Sequence, residues 1–127
     1  LFRSTVAAAR EAALLGKPAI AISQFIRKGR ELDWNHSQQL ALPILSRLVG
    51  SQAAARGYWN VNLPHVLDSD APSTVECEPD NLPLDVRFRR DGDALHYAGS
   101  YPQRPRTPGR DVDLCFGGAI TISRLQL

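Results

Sequence analysis

A cation and two hydroxyls stand directly before an alanine-rich run: Arg3, Ser4 and Thr5. Alanine has the highest helix propensity, and a Ser or Thr oxygen can accept a hydrogen bond from a free N–H at a helix start. The run therefore predicts a helix capped by Ser4 or Thr5. Free N–H groups, the positive end of a helix dipole, hydroxyls and a guanidinium favour an anion. Arg3, Ser4 and Thr5 are our candidate phosphate-binding residues, and an ordinary capped helix is the alternative.

The elements that position the start of this helix come next in the sequence. Gly16 suits the left-handed residue past a helix end, and Pro18 forbids continuation. Residues 19–22 are apolar and partly β-branched, which is typical of a strand covered on both faces. Since the helix carries only a narrow charged stripe, we expect it to be mostly buried against that sheet. The sequence thus predicts an α/β layer.

A second helix and a second strand are also predicted. Apolar residues recur at helical spacing after Asn35 and Ser37, either of which can cap the helix. Residues 58–63 alternate as a strand and place Asn60 and Asn62 on one face. We expect these asparagines to bond neighbouring loops and do not assign them a catalytic role.

Two groups of basic residues lie in predicted loops. They are Arg27, Lys28 and Arg30 after the first strand, and Arg104, Arg106 and Arg110 in and after the Pro-rich segment 101–109. Loops at the carboxyl ends of parallel strands line ligand crevices in α/β folds, so the first group either faces an anionic substrate or forms a solvated cluster. The second group predicts an extended, mobile basic loop that approaches a phosphate.

Residues 65–83 form an acidic, Pro-punctuated segment, which predicts a surface connection with a short edge strand at residues 73–77. The segment has no compact Asp-x-Asp-x-Asp-Gly loop, so its carboxylates are interpreted as solubilising charges and not as metal ligands. Cys77 and Cys115 match no zinc or redox spacing. They are interpreted as two buried free thiols, with a disulfide as the alternative.

A β-hairpin is predicted around Asp91-Gly92, a pair suited to a tight turn because both central positions require positive φ. That turn pairs Phe88 with Leu95 and Val86 with Tyr97 on one apolar face. An isolated hairpin cannot bury such a face. We therefore expect the face to pack either against a second subunit or against the rest of the same subunit.

The 127 residues are 43% hydrophobic and carry a formal net charge of +2, which suffices for one domain. The near balance argues against a dedicated nucleic-acid binder, whose basic excess must neutralise several phosphates. No apolar run approaches the ~20 residues of a membrane span. The chain has no Met and opens inside a motif, so we interpret it as part of a longer protein. The interpretation of its two cysteines as free thiols predicts a reducing, cytoplasmic location.

Three segments together resemble the SurE family of metal-dependent phosphatases, the 5′/3′-nucleotidases. Residues 2–23 resemble its Tyr-Ser-Gly-Thr-Val motif and the Ala-rich helix that ends in Gly-x-Pro-Ala-Ile-Ala-Val-Ser. Residues 59–64 resemble Leu-Asn-Val-Asn-Val-Pro, and 111–123 resemble Thr-Asp followed by Gly-Tyr-Val-Ser-Ile-Thr-Pro. Arg3 replaces the motif's Ser, Ser4 its Gly and Arg124 its Pro.

The resemblance implies a partial three-layer, Rossmann-like α/β fold with a projecting hairpin arm that joins subunits into a dimer or tetramer. Residues 1–64 would form the α/β body, and 65–127 the acidic connection, the arm and a final strand at 119–123 that returns to a sheet. The implied activity is hydrolysis of nucleotides or other phosphomonoesters with a divalent metal, Mg²⁺ or Mn²⁺. The family's metal ligands precede these motifs, so this segment would hold no metal and contain no catalytic residue. A degenerate, non-catalytic oligomerisation module is the alternative, and a basic-loop module that binds nucleic acid is a third.

Overall fold

A computed structural model describes residues 4–50, 57–67, 70–84 and 86–127. Its helices are α1 (Ser4–Leu14), α2 (Trp34–Gly50) and α3 (Asp111–Phe116), with a 3₁₀ turn at Tyr101–Gln103. Its strands are β1 (Ile20–Gln24), β2 (Gly57–Leu63), β3 (Thr74–Glu76), β4 (Phe88–Asp91), β5 (Ala94–Tyr97) and β6 (Ile120–Gln126). Within these ranges, the helices are too short or too polar to cross a bilayer.

The main sheet has the strand order β1-β2-β6-β3. Strands β1 and β2 are parallel, β6 runs antiparallel to β2, and β3 runs parallel to β6 at the far edge. The expected edge strand and the return of the final strand to the sheet are therefore confirmed. The final strand is longer than the predicted 119–123.

The two long helices cover opposite faces of this sheet, because alternate residues of each strand point to opposite sides. Ala9 and Ala13 of α1 pack with Ala19, Ala21 and Tyr58. On the other face, α2 and the strands β2 and β6 form the larger core cluster: Ile44, Leu48, Val61, Leu63, Ile120 and Ile122. The three-layer α/β architecture implied by the resemblance is confirmed.

Helix α1 ends as predicted, with Gly16 at a φ of +72° just beyond it. The expectation that this helix is mostly buried is wrong. Its fully buried residues are Ala9 and Ala13, one turn apart, whereas Leu14 is 52% exposed. A pair of methyl groups at this spacing lets the helix lie close to the strand along a narrow line, and the opposite side of the helix has no covering layer among the described residues.

The predicted cap of α2 is also corrected. The helix begins at Trp34, and Asp33 Oδ1 accepts a hydrogen bond from the backbone N–H of Asn35 at 2.7 Å. Ser37 lies inside the first turn, where its Oγ donates to the carbonyl oxygen of Asp33 at 3.0 Å. Asp33 therefore caps the helix, because a carboxylate just before the first turn reaches its free N–H groups.

The hairpin exists, but its register is corrected. Phe88 pairs with Tyr97 and Arg90 with Leu95, so Gly92 and Asp93 form the turn. Gly92 supplies the positive φ, +58°, at the first central position of this turn. Moving the turn by one residue moves the pairing by two, so the apolar face is unchanged.

Both cysteines are free thiols, as interpreted from the sequence. Cys115 is buried, but Cys77 is only partly buried because it follows the edge strand β3. Burial raises the pKa of the Cys115 thiol to about 12, with Asp111 and Cys77 adding to the effect. This sulfur therefore behaves as a packed apolar group and not as a nucleophile.

Candidate functional site

A cleft of about 810 Å³ opens where β1 and β2 end. A five-residue connection joins α1 to β1, on which it packs, so the two elements run antiparallel. The start of the helix consequently lies at the carboxyl end of the strand, where α/β folds bind ligands. The polar residues that line this part of the cleft are Ser4, Thr5, Ser23, Gln24, Asn60 and Asn62.

Two of the three phosphate-binding candidates thus line the cleft. Ser4 and Thr5 are both exposed and lie in the first turn of α1 as described. Arg3 lies outside the described residues, so its placement and the residue that caps α1 stay predictions.

The basic group after β1 does not line this cleft. Arg27 Nη2 donates to the carbonyl oxygen of Phe116 at 3.1 Å, and Lys28 is exposed. Arg30 lines a separate cleft of about 580 Å³ beside the start of α2. In that second cleft, His65 Nδ1 accepts from the Arg27 backbone N–H at 2.9 Å and Nε2 donates to the Glu31 carbonyl oxygen at 3.0 Å. His65 therefore holds the loop between β1 and α2 in place.

Asp111, at the start of α3, is the central buried carboxylate of the larger cleft. Its Oδ1 accepts from the backbone N–H groups of Asp80 at 2.6 Å and Val112 at 2.8 Å. Its Oδ2 accepts from Asn62 Nδ2 at 3.3 Å. For Asn62, the expected bond from β2 to a neighbouring segment is thus confirmed. Burial raises the pKa of Asp111 despite these hydrogen bonds, because the charged form loses its water.

Asp80 corrects the interpretation of the acidic segment as solubilising charge. Its Oδ2 accepts from the Thr107 backbone N–H at 2.7 Å, and its Oδ1 accepts from the Leu82 backbone N–H at 2.9 Å. Partial burial alone would raise the pKa of Asp80, but these bonds and the nearby Arg104 hold it below its ordinary value. The carboxylate joins two loops that form one rim of the cleft.

The basic Pro-rich segment is not the free loop that its composition predicts. It begins with the 3₁₀ turn, and each of its arginines contacts a protein acceptor: Arg104 contacts Leu82 O, Arg106 contacts Asp113 Oδ1, and Arg110 contacts Pro79 O. Its prolines restrict the backbone conformations available to this segment, so a few hydrogen bonds are enough to hold it in one conformation. Arg104 alone of the three lines the larger cleft.

Three aromatic rings contact one another along the cleft. The rings of Phe25 and Phe116 are stacked, with centroids 4.2 Å apart, and Tyr101 meets Phe116 edge-on at 5.8 Å. All three residues line the cleft, which therefore combines hydroxyl and amide groups with an aromatic surface.

The described residues do not fit a resident metal ion. They contain no group of three or more His, Cys, Asp or Glu side chains that could hold one. The carboxylate oxygens of Asp80 and Asp111 already accept hydrogen bonds from protein N–H groups. A divalent cation needs about six oxygen ligands, and this pair of carboxylates, already bonded to protein N–H groups, supplies too few.

Sequence reasoning missed α3 and the roles of Asp80 and Asp111. A signal for the helix was present in Asp111 and Asp113, because carboxylates are favoured in a first turn. Asp113 Oδ2 indeed accepts from the backbone N–H of Gly109 at 3.0 Å. A six-residue helix is too short, however, to show an apolar period.

The family described as Survival protein SurE matches residues 1–79. This chain belongs to the SurE family. A relative from Synechocystis sp. named "Putative 5'-nucleotidase" is 44% identical over 124 residues, which cover 97% of this chain and 55% of the relative. The protein named 5'-nucleotidase SurE from Neisseria gonorrhoeae is 30% identical, over 100% of this chain and 52% of its own length.

The fold comparison agrees with the family assignment. The crystal structure of the SurE protein from Aquifex aeolicus matches with a TM-score of 0.63 at 19% identity, over 96% of this chain and 50% of that one. It supports the SurE-like α/β fold predicted from the resemblance. The chain spans about half the length of the curated relatives it matches.

Proposed function

We propose that this chain is the C-terminal, substrate-side half of a cytoplasmic SurE-type phosphatase that hydrolyses nucleoside 5′- or 3′-monophosphates. The names of its relatives support this activity class, and the matches run along nearly the whole chain while covering about half of each relative. The proposal therefore places the rest of the catalytic centre in sequence that this chain does not contain.

The observation that carries the proposal is that the start of α1, with Ser4 and Thr5, lines the larger cleft. Helix N-termini present free N–H groups and a positive dipole end, which favour phosphate. In this proposal the two hydroxyls donate to non-bridging phosphate oxygens, and Arg3, which precedes them in the sequence, contributes a positive charge. These donors stabilise the negative charge that the phosphoryl group carries through the reaction.

The divalent metal of the family, Mg²⁺ or Mn²⁺, belongs in this proposal to residues outside the chain, because the described residues do not fit it. The part of this chain is then to bind and orient the phosphomonoester. It follows that the segment alone holds no metal and has no turnover.

We further propose that the β4–β5 hairpin is the arm that joins subunits into a dimer or tetramer. Phe88 is 58% exposed, Leu95 is 67% exposed and Tyr97 is 48% exposed, and they share one face. A two-stranded hairpin is at best marginally stable alone, and a symmetric partner surface would cover this face.

The activity test compares the full-length protein with residues 1–127 alone, each assayed for phosphate release from a nucleoside monophosphate with Mn²⁺ or Mg²⁺. The proposal predicts turnover by the full-length protein and none by the segment. Turnover by the segment would show that the catalytic centre lies within this chain. A full-length protein that assembles but releases no phosphate would instead support the non-catalytic oligomerisation module, for which Arg3 and Ser4 at altered motif positions are the specific argument.

A further inference from the structure

We propose that the second cleft, the cavity of about 580 Å³ beside the start of α2, binds a free α-amino acid with an apolar side chain. This inference goes beyond the proposed function, because Ser4 and Thr5 line the other cleft. The observation that carries it is a set of polar groups in the lining of the second cleft that have no partner among the described residues. They are Gln24 Oε1, His36 Nε2, the Arg30 guanidinium and the Glu31 carboxylate.

The side-chain amide of Gln24 supplies a buried acceptor whose orientation is fixed. Its Nε2 donates to the carbonyl oxygens of Phe25 and Pro64, each at 2.9 Å, and lies 3.4 Å from the carbonyl oxygen of Leu63. Rotating the amide by half a turn would place its oxygen against these three carbonyl oxygens, so the contacts themselves identify the nitrogen. Oε1 is therefore the buried atom without a partner, and it can only accept a hydrogen bond. Its partner must be a donor.

His36 contributes a second buried atom without a partner. The residue lies in the first turn of α2, and its Nε2 has no hydrogen bond within the part of the chain that the structure describes. Buried side-chain polar atoms are nearly always hydrogen-bonded, because an unpaired one has lost its contact with water and gained nothing in exchange. An imidazole nitrogen donates to a carboxylate in one tautomer and accepts from an ammonium in the other. Two such atoms in the lining of one cleft indicate a polar occupant.

Two charged side chains of opposite sign line the same cleft. Arg30 and Glu31 are both exposed, and neither side chain has an ion pair or a hydrogen bond with another described residue. The remaining carboxylate of the lining, that of Asp33, already accepts from the Asn35 backbone N–H and caps α2. One unpaired cation and one unpaired anion complement a ligand that carries both charges better than they complement a simple amine or a simple acid.

The backbone that carries these charges is held in place by the fold. His65 is only 6% exposed, and its Nε2 donates to the Glu31 carbonyl oxygen while its Nδ1 accepts from the Arg27 backbone N–H. The Arg30 backbone N–H donates in turn to the Arg27 carbonyl oxygen at 3.3 Å. A wall that is already fixed loses little conformational entropy when a ligand binds, which favours affinity for a small molecule.

An apolar α-amino acid satisfies these groups together. Its ammonium group donates to Gln24 Oε1 and faces Glu31, and its carboxylate faces Arg30. Its side chain meets the apolar part of the lining, which consists of Leu32, Pro64, Val66 and Leu67. The cleft volume lies within the range of pockets that enclose small ligands, roughly 300–1,000 Å³.

Calorimetric titration of the full-length protein tests the class of ligand with L-leucine and two analogues that each lack one charged group. The amine 3-methylbutan-1-amine lacks the carboxylate, and 4-methylpentanoate lacks the ammonium group. We expect L-leucine to bind about tenfold more tightly than either analogue, because each analogue loses one set of charge-assisted hydrogen bonds. Absence of L-leucine binding, or equal affinity for either analogue, would overturn the proposal. The titration needs no turnover, so its outcome is independent of whether the proposed phosphatase activity is found.

Charge-neutralising variants assign the binding to the second cleft. Glu31→Gln and Arg30→Gln should each weaken L-leucine binding roughly threefold to fivefold, the range for an exposed ion pair. Glu11→Gln and Lys28→Gln are the matched controls, because both residues are exposed and line neither cleft, and they should bind L-leucine as the wild type does. Wild-type affinity in both Glu31→Gln and Arg30→Gln would show that L-leucine binds elsewhere.

The contact with Gln24 is read directly from a crystal structure of the full-length protein with L-leucine, because substituting Gln24 would also remove the donor to the Phe25 and Pro64 carbonyl oxygens. We expect the ammonium nitrogen within about 3.2 Å of Gln24 Oε1. L-leucine bound at another place, or a second cleft that contains only water at saturating L-leucine, would overturn the proposal.

Discussion

The backbone N–H of Asp80 donates to Oδ1 of Asp111 at 2.6 Å, across 31 residues of sequence. The same buried carboxylate receives the side-chain amide of Asn62 from β2. Asp111 thereby fixes α3 and the loop of Asp80 against the central strand. These contacts hold in place a rim of the same cleft that the start of α1 lines.

Asp111→Ala should lower the free energy of unfolding by about 3 kcal/mol, because it leaves the backbone N–H groups of Asp80 and Val112 without this acceptor and leaves Asn62 Nδ2 with Thr121 Oγ1 alone. Asp111→Asn keeps one acceptor oxygen and should cost clearly less. Urea denaturation of the protein measures both. Glu11→Ala, which removes an exposed carboxylate of α1, is the control and should be nearly neutral. Equal stability of Asp111→Ala and wild type would contradict the role of this carboxylate.

The two carboxylates should have opposite effects on the pH dependence of stability. The pKa of Asp80 is lowered, so its contribution is present above its ordinary pKa of 3.8 and is lost as pH falls through the lowered value. The pKa of Asp111 is raised, so its contribution is complete below 3.8 and is lost as pH rises through the raised value.

Unfolding free energies measured across this pH range test both signs. The deficit of Asp80→Asn relative to wild type should shrink as pH falls below 3.8. The stability of Asp111→Asn relative to wild type should instead rise with pH above 3.8. Parallel curves for the two variants would show that the carboxylates do not titrate as the geometry requires.

Cys115 should resist alkylation in the native protein. Burial raises its pKa to about 12, so the reactive thiolate is scarce near neutral pH, and the side chain is only 3% exposed. Mass spectrometry after iodoacetamide treatment should find Cys115 unmodified in the native state and modified in denaturant. Native labelling of Cys115 at the rate of a small free thiol would place it on an accessible surface.

Leu95→Lys should reduce the size of the assembled protein, because it places a charge in the exposed apolar face of the hairpin. Light scattering measures the change. His96→Lys is the matched control, since His96 pairs with Arg89 on the opposite face and should leave assembly intact. A wild-type protein that is already monomeric, or a Leu95→Lys protein of wild-type size, would remove the hairpin from the subunit interface.

The fold was predictable wherever one local signal dominates. Gly16 and Pro18 end α1, and the alternation along β2 assigns Asn62 to the cleft face as the structure has it. The apolar face of the hairpin followed from period-two patterning. The register of the hairpin could not be predicted in the same way, because turns centred on Asp91-Gly92 and on Gly92-Asp93 both place glycine at a central position. The strand pairing decides between these two turns.

The site was predictable only in part, because its polar contacts join residues that are distant in sequence. The residues around Asp80 in the sequence are typical of a surface loop. Nothing in that local sequence indicates that the backbone N–H of Thr107 donates to the Asp80 carboxylate. The exposure of α1 was missed for a similar reason. The spacing of apolar residues along a helix indicates which side is apolar, but that side is buried only where another layer of the protein covers it.

A crystal structure of the full-length protein with phosphate or a nucleoside monophosphate shows whether the start of α1 binds the phosphoryl group. We expect the phosphoryl oxygens within hydrogen-bond distance of the Ser4 and Thr5 hydroxyls and the first N–H groups of α1. A phosphoryl group bound elsewhere, with Ser4 and Thr5 making no contact to it, would contradict the account.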